Sequence, residues 1–148
     1  SLRWDLQEGC LNKKLEEVIQ KTVAAFANSD GGTLLIGVAD NGEVLGLDND
    51  YASLGDADKD KFEMHLRNLL SNAFGKSFAA SRVKIRFPNV AGKEICHLEI
   101  QQHHEPLVFP ISDKSGQKTE KFFVRNGNAS QEIPMSEMSG YMKERFKS

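Results

Sequence analysis

The sequence predicts an α/β (α+β) domain: a mixed sheet of about six strands, two main helices and a C-terminal helix. Three observations predict it. Two segments with helical apolar spacing are interleaved with segments of strand character. The most apolar strand follows the first helix directly, across a double glycine. A third helical segment closes the chain.

"NKKLEEVIQKTVAAFAN" carries Leu15, Val18, Ile19, Thr22, Val23 and Phe26 at helical spacing, with Asn12 as the expected N-cap. Asn28, Ser29, Asp30, Gly31 and Gly32 end this helix. "TLLIGVA" is too apolar for a one-sided strand and reads as a central strand covered on both faces. "DNG" at 40–42 signals a hairpin, with "EVLGL" as the returning strand. Residues 48–61 are acidic and turn-rich. "DKFEMHLRNLLSNAFG" is the second amphipathic helix. "RVKIRFP" then alternates, with Val83, Ile85 and Phe87 on one face and Arg82, Lys84 and Arg86 on the other. "KEICHLEIQ", "PLVFPI" and "EKFFVRNG" read as further strands, and "SDKSGQKTE" as a polar tip. "SEMSGYMKERF" is the closing helix, with Met138, Tyr141 and Met142 inward.

A length of 148 residues suits one domain over 1–148. Apolar residues make up 39% and charged residues 27%, as in globular chains. No apolar run approaches the roughly 20 residues of a membrane helix. The two cysteines, Cys10 and Cys96, lie far apart, which fits a reducing, cytoplasmic home. Net charge is -2, unevenly spread. Residues 1–75 hold 7 Lys/Arg against 13 Asp/Glu, and residues 76–148 hold 12 against 8. Such a chain can present one basic face to phosphates, although a plain solvated surface has the same signature.

Several chemistries are not supported. "GKS" at 75–77 is not a P-loop, because Leu70 stands where its first glycine belongs and the triplet follows a helix. "DADKD" at 56–60 is not a calcium loop, because Lys61 and Arg67 occupy the glycine and glutamate positions. No zinc-ligand spacing or nucleophile elbow occurs. His103 and His104 are expected on opposite faces of a strand end.

"KTVAAFANSDGGTLLIGVADNGEVLGLDNDY", followed by "FFVRNGNAS", resembles the Schlafen AlbA_2 domain family, described as DNA-binding. The resemblance runs from "SLRWDL" to "YMKERF" and implies a nucleic-acid-associated α/β fold, in bacteria within regulatory or defence-type proteins. In animal Schlafens, paired domains of this kind form a metal-dependent endoribonuclease. That branch uses an E-x-x-x-x-E-x-K cluster before the first helix and an aspartate after the "LLIGV" strand. Asp40 corresponds to the aspartate. The cluster is expected upstream of Ser1, so the chain is expected to be part of a longer protein, cut in its N-terminal strand region and inactive as a nuclease.

Three functional readings follow. The first is a nucleic-acid-binding module using Arg82, Lys84, Arg86, Lys121 and Arg125 on phosphates, with Asn126 and Asn128 as amide donors. In it, "VRNGNAS" is either an anion nest beside Arg125 or a self-bonded polar loop. The second is a divalent-metal-dependent endonuclease in which Asp40 binds Mg²⁺ or Mn²⁺. Asp40 in a "DNG" turn is also an ordinary turn residue. The third is a ligand-free oligomerisation or regulatory domain. A homodimer fits the nucleic-acid reading, since small modules of that kind often pair to extend a basic surface. The glycines at 31, 32 and 37 are either mechanical or part of a site.

Overall fold

The computed structural model describes residues 4–5, 10–11, 13–39, 41–54, 58–112, 114–127 and 129–145. In chain order it contains β1 (Trp4–Asp5), β2 (Cys10–Leu11), α1 (Lys13–Ala27), β3 (Gly32–Ile36), α2 (Asp48–Ser53), α3 (Lys59–Phe74) and α4 (Lys76–Ser81). Then follow β4 (Val83–Arg86), β5 (Asn89–Val90), β6 (Lys93–Glu94), β7 (Cys96–Ile100), β8 (Val108–Ser112), β9 (Lys118–Asn126), β10 (Ala129–Ile133) and α5 (Met135–Arg145). The α+β class is the one the sequence predicts. Its strands divide among separate sheets. Two are three-stranded, ordered β3-β7-β4 and β10-β9-β8, and two are short two-stranded pairs, β1-β2 and β5-β6. Every described pair is antiparallel.

Helix α1 is the shared wall between the two larger sheets. Ile19, Val23, Ala24 and Ala27 join the main core with Ile36, Leu98 and Ile100 of the first sheet. Ala25 joins Phe109 and Phe123 of the second. Val23 and the three alanines are fully buried. Alanine suits this place, because a small side chain lets the helix backbone approach sheets on two sides while keeping high helix propensity. Helix α3 seals the main core with Phe62, Leu66 and Leu70, one turn apart. Asp58 caps it, its carboxylate accepting from the backbone N–H groups of Asp60 and Lys61 at 3.1 Å each.

The strand that follows α1 departs from expectation. β3 lies at the edge of its sheet, and β7 is central. Its side chains alternate, with Ile36 buried, Thr33 exposed and Leu35 42% exposed. The apolar run is therefore one-sided. Only its inner face meets α1, while Leu35 stands on the outer face. The returning strand after "DNG" is reduced to one bridge, Val38 with Val44. Beyond it Leu47 turns into the core, and Asp48–Ser53 form a short helix inside the stretch expected to be turns.

Candidate nucleic-acid interface

The polar residues after α1 are structural. Asn28 is fully buried, and its Nδ2 donates to the backbone carbonyls of Leu107 at 2.8 Å and Phe123 at 2.9 Å. Its Oδ1 accepts from the Leu107 N–H at 2.8 Å. Ser29 Oγ accepts from the Arg125 N–H at 2.8 Å and lies 3.3 Å from the Tyr141 hydroxyl. These two side chains thus tie the end of α1 to β9, to the entry of β8 and to α5. The glycines are equally mechanical. Gly31 has φ +78°, and a Cβ there would stand 2.6 Å from the Ile100 carbonyl oxygen. A Cβ at Gly32 would stand 2.4 Å from the Phe26 ring.

The helix end is closed by distant groups. The Ala27 carbonyl accepts from the His103 N–H at 2.9 Å and from Arg145 Nη1 at 3.3 Å, and Arg145 Nη2 donates to the His103 carbonyl. No basic residue lies in the last turn of α1 itself, so Arg145 supplies the positive charge that the helix C-terminus favours. His103 and His104 do not point apart. Their rings lie 4.7 Å from each other, and His103 also meets Phe78 edge-on. Burial, then the neighbouring His104 and Arg82, hold the His103 imidazole below its ordinary range. Cys96 is fully buried, and burial raises its thiol to about 12, which makes it a packing residue.

The sequence-predicted phosphate ligands fall in two places. Lys121, Arg125 and Asn126 belong to the second sheet and are engaged within it. Within "VRNGNAS", Val124, Arg125 and Asn126 end β9 and Ala129 and Ser130 begin β10, with Asn126 facing Ala129. Lys121 Nζ pairs with Glu132 at 3.3 Å, and Asn126 Nδ2 donates to Gln131 Oε1 at 2.9 Å. The Arg125 guanidinium lies 4.8 Å from the centre of the Phe26 ring, and its Nη1 donates to Ser130 Oγ at 3.1 Å. Arg125→Lys is therefore expected to lower stability by about 1 kcal/mol, a fall of about 4 °C in Tm for a domain of this size. Thermal unfolding measures it, and an unchanged Tm would return Arg125 to the set of phosphate ligands.

Arg82, Lys84 and Arg86 lie in and beside the first sheet. Arg82 ends α4, one residue before the strand, and its carbonyl accepts from the Gln101 N–H at 2.8 Å. Lys84 and Arg86 are exposed on edge strand β4, opposite Glu99 and His97 of β7. The other face of this strand, with Val83 and Ile85, packs into the core. Alternation in "CHLEI" already separates His97 and Glu99 from Cys96, Leu98 and Ile100. That His97 and Leu35 are neighbours on this outer face escapes the sequence, because it depends on which strands pair.

Asp40 and Asn128 lie outside the described residues. Among the described residues no three His, Cys, Asp or Glu side chains converge as a metal site. Among them, too, no helix is long and apolar enough to cross a membrane.

Comparison with known proteins fits this fold. No curated protein sequence matches the chain. Among solved structures, the DIP2311 protein from Corynebacterium diphtheriae is similar over 93% of this chain, with a TM-score of 0.60 and 20% identity. The chain spans 23% of that protein's chain, and the likeness is one of fold. The Schlafen AlbA_2 family model matches residues 1–134, covering both larger sheets, the helices between them and the "AFANSDGG" junction. On that match, the chain belongs to the Schlafen AlbA_2 family.

Proposed function

We propose that this chain is a nucleic-acid-binding module that grips the phosphate backbone through strand β4. One observation carries the reading. Lys84 and Arg86 stand side by side, exposed, on the outer face of the β3-β7-β4 sheet. Arg82 precedes them at the end of α4, outside the strand. By contrast, the Lys121 and Arg125 side chains are held by Glu132, Ser130 and Phe26. A strand spaces alternate side chains by about 6.5–7 Å, close to the phosphate spacing along an extended strand. Two cations on one pleat can therefore meet neighbouring phosphates. Such contacts supply affinity without reading sequence, and counterion release makes them salt-sensitive. Family membership agrees with a nucleic-acid role.

Lys84→Gln combined with Arg86→Gln is expected to weaken binding of a labelled oligonucleotide about tenfold or more at low salt. The slope of log K against log salt should fall by about one for each phosphate that the variant no longer neutralises. Fluorescence anisotropy over a salt series measures both. Unchanged affinity and slope would remove β4 from the interface. Thermal stability should hardly move, since both side chains are exposed.

A further inference from the structure

The outer face of the β3-β7-β4 sheet is not uniformly charged. Antiparallel pairing arranges it in two rows that cross the strands. One row reads Thr33, Glu99, Lys84, and the other Leu35, His97, Arg86. In the second row an exposed leucine, a half-buried imidazole and an exposed guanidinium lie in sequence across the sheet. At its β4 end, Arg86 and His97 join Phe87 and Pro88 around a hollow of about 430 Å³.

Two features of this row are unexplained by folding. His97 Nδ1 is shut from solvent, with no hydrogen-bond partner among the described residues. A buried polar nitrogen left unpaired works against the fold, so Nδ1 contributes nothing to holding the imidazole there. Leu35 is turned outward from a strand whose inner face is already well packed. Across the row the surface passes from apolar Leu35 at one edge, over the His97 imidazole, to cationic Arg86 at the other, with Glu99 and Lys84 in the row beside it.

We infer that this row receives an unpaired nucleobase, and hence that the chain takes single-stranded nucleic acid in preference to duplex. The inference rests on the backbone reading above and specifies its substrate. An unstacked base offers a flat π-face, which packs on an imidazole or a guanidinium plane and on an aliphatic side chain. The phosphate attached to it carries a charge that Arg86 and Lys84 complement. A duplex keeps its bases stacked inside and shows this surface only its backbone. The central strand holds His97 between two neighbours, so the platform is set before the ligand arrives.

The test compares three probes of equal length at one salt concentration: an intact single strand, the same strand with a central run of abasic sites, and the duplex. On the wild-type protein the intact strand should bind about tenfold more tightly than either of the others. His97→Ala should bring the intact strand down to the abasic level, and His97→Phe should restore most of the difference. Equal binding of intact and abasic strands by the wild-type protein would overturn the base platform while leaving the backbone reading standing. A full base effect surviving in His97→Ala would place the platform elsewhere and overturn the assignment. Failure of all three probes to bind would overturn both readings. The wild-type comparison needs no variant, so it stands even if a His97 substitution disturbs the sheet.

Discussion

Asn28→Asp is expected to lower the unfolding free energy by about 3 kcal/mol or more. The two side chains have nearly the same shape, so the change isolates hydrogen bonding. The introduced carboxyl keeps an oxygen to accept from the Leu107 N–H. It replaces the Nδ2 donor, which now serves the Leu107 and Phe123 carbonyls, with a second oxygen. A carboxylate would then face two carbonyl oxygens at a fully buried position. Remaining ionised there leaves a buried charge without compensation, and taking up a proton supplies a donor for only one carbonyl. Asn28→Ala should cost about 2–3 kcal/mol, because it strands backbone groups without adding charge. Total stabilities of about 5–15 kcal/mol make either loss a large fraction. Urea unfolding with an unchanged m-value measures it. Losses below about 1 kcal/mol in both variants would mean that these bonds do not hold α1 to the second sheet.

The second large effect is expected at Gly31. Its φ of +78° lies in the left-handed region, which costs a residue with a Cβ about 1–2 kcal/mol. An added Cβ would also stand 2.6 Å from the Ile100 carbonyl oxygen and 3.2 Å from the Gln102 nitrogen. Both are backbone atoms, which cannot rotate away as a side chain does. Gly31→Ala should therefore cost about 2–4 kcal/mol. Gly116→Ala is the matched control. Its φ is +85°, but an added Cβ meets nothing within 4 Å. The control should show the conformational cost alone, about 1 kcal/mol. The difference between the two in the same denaturant titration reads the crowding where β3 leaves α1. Equal losses would show that β7 gives way at Ile100.

Much of this molecule is legible in its residues. The period of "EEVIQKTVAAFA" and of "DKFEMHLRNLL" places both long helices, because a one-sided apolar stripe has few other ways to be buried. Alternation in "RVKIRFP" correctly turns Val83 and Ile85 inward and Lys84 and Arg86 outward. Arg82 shares their parity but ends α4 instead of lying in the strand, since alternation does not mark where pairing begins. The "TLLIGVA" segment misleads for a related reason. Apolar content alone does not distinguish a doubly covered strand from an edge strand with one outward leucine. β10 is missed because "ASQEI" is mostly polar and becomes a strand through its pairing with β9.

The class of fold, the two long helices, the glycine-bearing junction after α1 and the outward cations of β4 are all readable from the residues alone. Each follows from interactions between residues close along the chain, where spacing and backbone freedom are enough. The tertiary structure alone decided what Asn28, Ser29 and Arg125 do, since their partners lie 79 to 112 residues away or across a hairpin. It alone drew Leu35, His97 and Arg86 into one row, because strand register, set by long-range pairing and core packing, decides which side chains become neighbours across a sheet.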